Sequence, residues 1–263
     1  MRTLTSVVPI FFAAACSSSS NNTTTDAPQG GGSSDAASGG GSDAPGGPTI
    51  TVSGVATAQS LGPPTPAANV IIAAYANSDE STVVAMTTTD AKGNYTLVVP
   101  SSTPLDGYLK ATSAPNADVP YSDTYLYPPV PLTADFANAA INMIPQSLFS
   151  TLSGVIGMAQ PGQGVVALEV IDSLASMTFI SGATVASDPP SNPPKISYDA
   201  QGSSTPSIVN SGGPTATGGD GRGFIFALDP GTYTVTAAKT GVTFKPTTVK
   251  VFANAFTTTL VTE

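Results

Sequence analysis

One cysteine, Cys16, and no histidine among 263 residues leave little with which to build a catalytic centre. A Ser-His-Asp triad, a Cys-His dyad and a histidine-based zinc site all need an imidazole as base or ligand, so all three are excluded. A Ser-Lys nucleophile would need a lysine held beside a serine. Lys92, Lys110, Lys195, Lys239, Lys245 and Lys250 are present, but no S-x-x-K spacing supports that use, and solvated strand or turn positions account for them. Paired carboxylates held about 5 to 10 Å apart across a cleft could hydrolyse a glycoside. Asp90, Asp106, Asp188, Asp220 and Asp229, however, lie beside or near Gly or Pro, where Asp makes local turn hydrogen bonds. Asp90 with Asn94, or Asp220, lacks the alternating D-x-D-x-D-G pattern of a calcium loop. "GGDGRG" lacks the G-K-[ST] ending of a phosphate loop. No catalytic residue, no metal and no cofactor is expected, and the chain reads as a non-enzyme.

Binding chemistry has more material. "DVPYSDTYLYPPVP" (Asp118 to Pro131) gathers Tyr121, Tyr125 and Tyr127 in a Pro-rich stretch that reads as a loop. Aromatic faces rimmed by Asp118 and Asp123 would suit sugar rings, whose C–H face stacks while the hydroxyls hydrogen-bond. The alternative is that these rings are buried under the loop or against a helix, and the lack of tryptophan favours it. A second stretch, Asp188 to Gly219 with Tyr198 and Asp199, is long enough to be either a binding loop or a disordered insertion.

Cys16 has a chemistry of its own. Arg2 is followed by an apolar run from Leu4 to Ala15, where a membrane-spanning helix would need roughly 20 residues. Residues 1–15 therefore read as an export signal. Ala13, Ala14 and Ala15 are small enough for a signal peptidase, and Cys16 follows directly. The segment resembles a bacterial lipoprotein signal, with Ala13 where leucine is commonest. That resemblance implies diacylglycerol on the Cys16 thiol, cleavage before it and usually acylation of the new amine. Ser17 in place of Asp implies an outer-membrane destination. An ordinary cleavage after Ala15 would instead leave a free thiol. Residues 16–48 are nearly all Ser, Gly, Asn, Thr, Asp, Ala and Pro, which is the composition of a disordered tether. Two or three acyl chains above such a tether make a firm membrane anchor.

Loss of residues 1–15 leaves seven basic against 17 acidic residues, a formal charge of −10. Nucleic acid is excluded as a partner for that surface. With one cysteine no intrachain disulfide is possible, so packing alone must hold the fold.

The elements that would carry any site are strands. Runs rich in Val, Ile, Thr, Tyr and Phe, separated by Gly, Pro, Asn and Asp, occur in two successive sets. The first runs through "TITVSGVATA" (Thr49 to Ala58), "ANVIIAAYAN" (Ala68 to Asn77), "STVVAMTTTDAKGNYTLVVP" (Ser81 to Pro100), "GYLKATS" (Gly107 to Ser113) and "NAAINMI" (Asn138 to Ile144). The second runs through "GVVALEVID" (Gly164 to Asp172), "GATVASDPP" (Gly182 to Pro190), "GRGFIFALDPGTYTVTAAKTG" (Gly221 to Gly241) and "TTVKVFANAFTTTLV" (Thr247 to Val261). The two sets echo each other as an internal repeat. Alternation puts Tyr233, Val235 and Ala237 on one face and Thr232, Thr234 and Thr236 on the other, and groups Tyr95 with Leu97 and Val99. Between the sets, Leu148, Phe149, Leu152, Val155 and Ile156 follow a helical period, predicting a helix over Gln146 to Gly157; a strand from Leu152 is the competing assignment. The division is then a first domain over 49–145, a linker over 146–163 and a second domain over 164–263.

Opening strands with G-x-V-x, "ANVI" and "GATV" second strands, the T-D-x-x-G-x-Y turn at Thr89 to Tyr95 and P-G-x-Y-x-V at Pro230 to Val235 together resemble the carboxypeptidase regulatory-like domain, twice over. The resemblance implies an all-β chain of two tandem transthyretin-like or Ig-like sandwiches, and no chemistry, since carboxypeptidases keep their zinc in a separate domain. Adhesin modules of similar fold cross-link a first-strand Lys to a last-strand Asn. "TITVSGV" and "VVALEVI" contain no Lys, so that cross-link is not expected. The functional expectation is an exported, lipid-anchored envelope protein displaying β-sandwich modules. Its partners would be the membrane through its lipid and either polysaccharide or envelope proteins.

Overall fold

The computed structural model describes residues 47–60, 63–100, 104–115, 117–192, 195–198 and 213–263, with only the backbone of Val155 and Ile156. The signal, Cys16, the tether up to residue 46 and Asp199 lie outside the described residues.

The chain is all-β with one helix among the described residues. In order come β1 (Thr49–Ala58), β2 (Thr65–Pro66), β3 (Val70–Ala76), β4 (Asp79–Thr88), β5 (Asn94–Pro100), β6 (Gly107–Ser113), β7 (Tyr121–Ser122), β8 (Thr124–Tyr127) and β9 (Ile141–Pro145). Then follow α1 (Gln146–Ile156), β10 (Gly164–Ile171), β11 (Thr184–Asp188), β12 (Ile196–Tyr198), β13 (Arg222–Leu228), β14 (Gly231–Ala238), β15 (Thr247–Val251) and β16 (Phe256–Thr262).

The first set of strands folds as a sandwich. β1 is flanked by β5 (antiparallel) and β9 (parallel), with β2 and β7 on the margins, and this layer faces β4-β3-β6-β8. Val52, Leu97, Ile72, Leu109, Ile141 and Met143 fill the space between, each 2 % exposed or less. In β5 the alternation is complete: Tyr95, Leu97 and Val99 are buried while Asn94, Thr96 and Val98 are exposed. The second set repeats the plan. β10 lies between β13 (antiparallel) and β16 (parallel), and β11-β14-β15 covers it over a core that includes Leu168, Ile225, Val235 and Val249. The correspondence is one of topology: β1 with β10, β3 with β11, β5 with β13, β6 with β14 and β9 with β16. Each copy's first strand pairs parallel to its last.

Between them α1 runs over Gln146–Ile156, as the helical period predicts, and the competing strand from Leu152 is absent. Gly157 ends it at φ 63°, a left-handed position that a residue without Cβ takes readily, and Lys195 Nζ donates to the Gly157 carbonyl at 2.9 Å. Phe149 and Leu152 are buried against Ile144, Val165, Phe224 and Phe256. Burying two such side chains stabilises the helix by about 1.5–3 kcal/mol each. No helix among the described residues is long and apolar enough to cross a membrane.

Two segments depart from expectation. The Pro-rich stretch Asp118 to Pro131 contains strands β7 and β8, and the long stretch Asp188 to Gly219 contains β12. β8 makes the larger difference. It pairs antiparallel with β6 on one side and parallel with β16 on the other, from Phe256↔Thr124 to Thr259↔Tyr127. The two sandwiches therefore share one sheet, in the order β12-β13-β10-β16-β8-β6-β3-β4.

Candidate functional site

The tyrosine-bearing stretch lies at the junction of the sandwiches. On β3, β6 and β8 one face packs into the first core, and the other turns Tyr75, Tyr108, Tyr125 and Tyr127 toward the second sandwich. Strand pairing sets them side by side: Tyr75 is opposite Tyr108, and Lys110 is opposite Tyr125. The Tyr75 and Tyr108 rings stack with centroids 5.5 Å apart, and Tyr108 stacks on Tyr127 at 4.9 Å. Phe252, just beyond β15, closes the group by lying 3.8 Å from Tyr125 at an interplanar angle of 11°. Tyr125 and Tyr127 are 6 % and 4 % exposed, so these rings serve as packing between sandwiches.

Tyr121 sits elsewhere. It belongs to β7, which pairs with β9 in the opposite layer, and its half-buried ring packs on the first core. Its backbone N–H donates to Ser113 Oγ at 2.7 Å, and Gln146 Nε2 donates to its carbonyl at 3.2 Å. The three tyrosines share no common exposed face. Asp118 is exposed on the approach to β7. Asp123 is drawn into an ion pair with Lys110 at 2.8 Å, and its carbonyl accepts the Phe256 N–H at 3.0 Å. Of the five residues singled out, the structure thus brings together Tyr125, Tyr127 and Asp123, at the joint, and leaves Tyr121 and Asp118 apart from them.

Electrostatics at the joint follow from this burial. Desolvation holds the Tyr108 phenol up at about 12, and raises Tyr125 and Tyr127 above the ordinary tyrosine value. Burial draws Lys110 down, but the hydrogen bond and charge of Asp123 outweigh it and leave the ammonium above its ordinary value. Lys110 also stands over the Tyr125 ring, 5.6 Å from its centroid. Lys250, on β15, ion-pairs with Glu80 on β4 and so ties the two sandwiches from the other side. Sequence reasoning missed Tyr75, Tyr108, Phe252 and the Glu80–Lys250 pair. These residues are far apart in sequence, and only the strand order relates them.

Two concavities adjoin the joint. A crevice of about 380 Å³ is lined by Asn77, Glu80, Asp106, Tyr127, Pro128–Pro131 and Lys250 among others. It holds two carboxylates, both engaged: Glu80 with Lys250, and Asp106 with Asn77 Nδ2, which donates to it at 2.8 Å. A groove of about 920 Å³ runs between α1 and the turn at Asn254, lined by Gln146, Phe149, Ser150, Gln160 and neighbours. Neither contains a nucleophile set beside a base. Among the described residues no three of His, Cys, Asp and Glu converge as a metal site. The turn aspartates are engaged: Asp90 holds its own loop, accepting from the N–H groups of Lys92 and Asn94 at 2.8 Å each, and Asp229 accepts from Gln163 Nε2 of another turn at 3.0 Å. Tyr198, in the second candidate stretch, is buried, and its hydroxyl oxygen accepts the Val185 N–H at 2.9 Å.

No family model matches the chain, and no curated protein is similar to it. Similar solved structures include the shaft pilin SpaA of Lactobacillus rhamnosus GG, at 15 % identity over 82 % of this chain and 98 % of that one, with a TM-score of 0.26. The Bacillus anthracis TIE protein is similar at 13 % identity over 81 % of this chain and 34 % of that one, with a TM-score of 0.26. GBS52, the minor pilin of Streptococcus agalactiae, is similar at 14 % identity over 81 % of this chain and 96 % of that one, with a TM-score of 0.25. Likeness at this level lends no weight to any functional assignment.

Proposed function

We propose that this chain is a non-catalytic structural module of a bacterial cell envelope: an exported lipoprotein, anchored through Cys16 to the outer membrane, that holds a fused pair of β-sandwiches above the surface on the tether 16–48. The observation that carries the structural part is the continuous sheet through β8 and β16. It joins two sandwiches into one unit and takes Tyr125 and Tyr127 into the joint between them. A unit of that kind suits a spacer or a platform for other envelope proteins. Tyr121 with Asp118 is the remaining part of the stretch open to a glycan, because Tyr125 and Tyr127 are committed to packing.

The anchor is tested by feeding cells a labelled fatty acid. The proposal expects label in the protein and its recovery with membranes, both lost in Cys16→Ser; an unlabelled, soluble parent would defeat it. The structural role is tested by retention on a panel of soluble and insoluble polysaccharides beside chemical cross-linking in intact cells. Cross-links to other envelope proteins without glycan retention are expected. Retention on one glycan that Tyr121→Ala abolishes would replace the structural reading with a lectin-like one.

A further inference from the structure

Asn77, Glu80, Asp106 and Tyr127 reach the crevice beside the joint from the first sandwich, and Lys250 reaches it from β15 of the second, so it exists only because the two are joined. Its volume of about 380 Å³ is far more than a single metal ion fills and lies in the range of small-ligand clefts, about 300–1,000 Å³. Tyr127 is the first sign of a missing group. The residue is 4 % exposed, and its hydroxyl is buried with no hydrogen-bond partner among the described residues. The ring stacks on Tyr108, while the hydroxyl feels the Glu80 charge and lies by the Lys250 backbone N–H without reaching hydrogen-bond geometry. It therefore points from one sandwich toward the other, across the crevice. A buried phenol ordinarily finds a partner, so an orphan in a cleft wall marks a place where a bound group would supply one.

Charge decides what kind of group that is. Lys250 is the one cation among the described lining residues, and Glu80 holds it. Asp106 has no ion-pair partner among the described residues, and Asn77 Nδ2, which donates to it at 2.8 Å, is neutral. The crevice thus keeps one uncompensated negative charge, which repels an anion. Pro128, Pro129 and Pro131 bring carbonyl acceptors without an N–H donor, together with apolar ring surface. One free carboxylate is too few for a divalent metal, which takes six or more oxygen ligands. A lining that is rich in acceptors, singly negative and apolar along its proline wall suits a monovalent cation with N–H donors and an alkyl stem.

We propose that this crevice is a binding site for an alkyl-ammonium or guanidinium group, carried by a free amine or by a lysine or arginine side chain. Asp106 takes the cationic head, the Tyr127 hydroxyl oxygen accepts one of its N–H groups, and the stem lies along the proline wall. Because the lining comes from both sandwiches, occupancy also stabilises the joint. The site goes beyond the structural role above, and its failure would leave that role untouched.

The test is ligand-observed NMR on the full chain, titrated with cadaverine and with the Nα-acetyl methylamides of lysine and arginine. The same derivative of norleucine, which keeps the stem without the charge, is the comparison. Saturable binding of a cationic probe and none of the norleucine probe is expected. Tighter binding of the capped amino acids than of cadaverine assigns the site to side chains, and the reverse order assigns it to free amines. Asp106 is exposed, and Asp106→Asn keeps an oxygen for Asn77 while removing the charge, so it should weaken binding about ten-fold or more. Tyr127→Phe keeps the ring and should weaken it several-fold, whereas Asp118→Asn, outside the lining, should change nothing. Melting curves run beside the titrations separate lost affinity from lost fold, and Asp106→Asn decides the matter if Tyr127→Phe unfolds. No saturable binding of any cationic probe, equal binding of the norleucine probe, or an affinity unchanged in Asp106→Asn would overturn the proposal.

Discussion

Tyr125→Ala examines the joint from its centre. The ring is 6 % exposed, stacks on Phe252 at 3.8 Å, tilts against Tyr108 at 5.8 Å and lies beneath Lys110. Truncating a buried aromatic to alanine costs about 3–5 kcal/mol, and the half-buried state of Phe252 puts this site near the lower end, at about 3 kcal/mol. For a folded unit of this size each kcal/mol moves Tm by roughly 2–4 °C, so the variant should melt about 6–12 °C below the parent. Differential scanning calorimetry at neutral pH is the assay. Because β8 and β16 belong to one sheet, parent and variant should each unfold in a single transition. Tyr125→Phe keeps the ring and should stay within about 1 kcal/mol of the parent. Two resolved transitions in the parent, or a Tyr125→Ala shift below about 3 °C, would refute the view that the joint is part of a common core.

The hydrogen bonds beside it are also open to test. Thr259 Oγ1 donates to the Tyr127 carbonyl at 2.8 Å across the β8–β16 seam, and Thr259→Val should cost about 1–2 kcal/mol in urea unfolding, with the m-value unchanged. A Cβ on Gly107 would fall 1.9 Å from the Tyr75 carbonyl oxygen, so Gly107→Ala must push β6 from β3 and should lower soluble yield and destabilise by about 3 kcal/mol or more, whereas an unchanged melt would contradict that packing. The pH profile of Tm should be flat from about 5 to 9, since there is no histidine to titrate. Hydrogen bonds from Ser81 and Thr82 hold Asp79 at about 2, and similar turns depress Asp90 and Asp172. Between about pH 4 and 2 the unfolded chain therefore binds more protons, and stability falls as pH drops through that window, less steeply in Asp79→Asn. At the alkaline end the raised Tyr95 and Tyr108 phenols favour unfolding as pH climbs past about 10.

The sequence told most where structure is local. β1 and β6 occupy the segments read from their Val, Thr and Tyr content; β5 buries the three residues that alternation selects, and β14 buries Tyr233 and Val235 with Ala237 half-buried. α1 was legible because its apolar period and Gly157 lie within one short window. β8 was not. It is four residues long, followed directly by Pro128 and Pro129, and its pairing partner Phe256–Thr259 lies more than a hundred residues away. Three of its four residues are buried because sandwiches cover both its faces, so no alternation marks it. The candidate site suffered in the same way. Tyrosines at 125 and 127 read as an aromatic loop with Asp118 and Asp123 at its rim, but the register that aligns Tyr75, Tyr108 and Phe252 with them is a property of the assembled sheet. Asp123 reads as a sugar contact until Lys110 is placed opposite Tyr125.

Hydrogen exchange read by mass spectrometry tests the central claim most directly. The Phe256 N–H donates to the Asp123 carbonyl, and β16 continues parallel to β8 as far as Tyr127. If one sheet unites the two sandwiches, amides of β8 and β16 should exchange as slowly as those of β3 and β10, opening only with global unfolding. Fast exchange along β8 and the β8-facing side of β16, with β3 and β10 still protected, would mean that the sandwiches part at this seam and are not one unit.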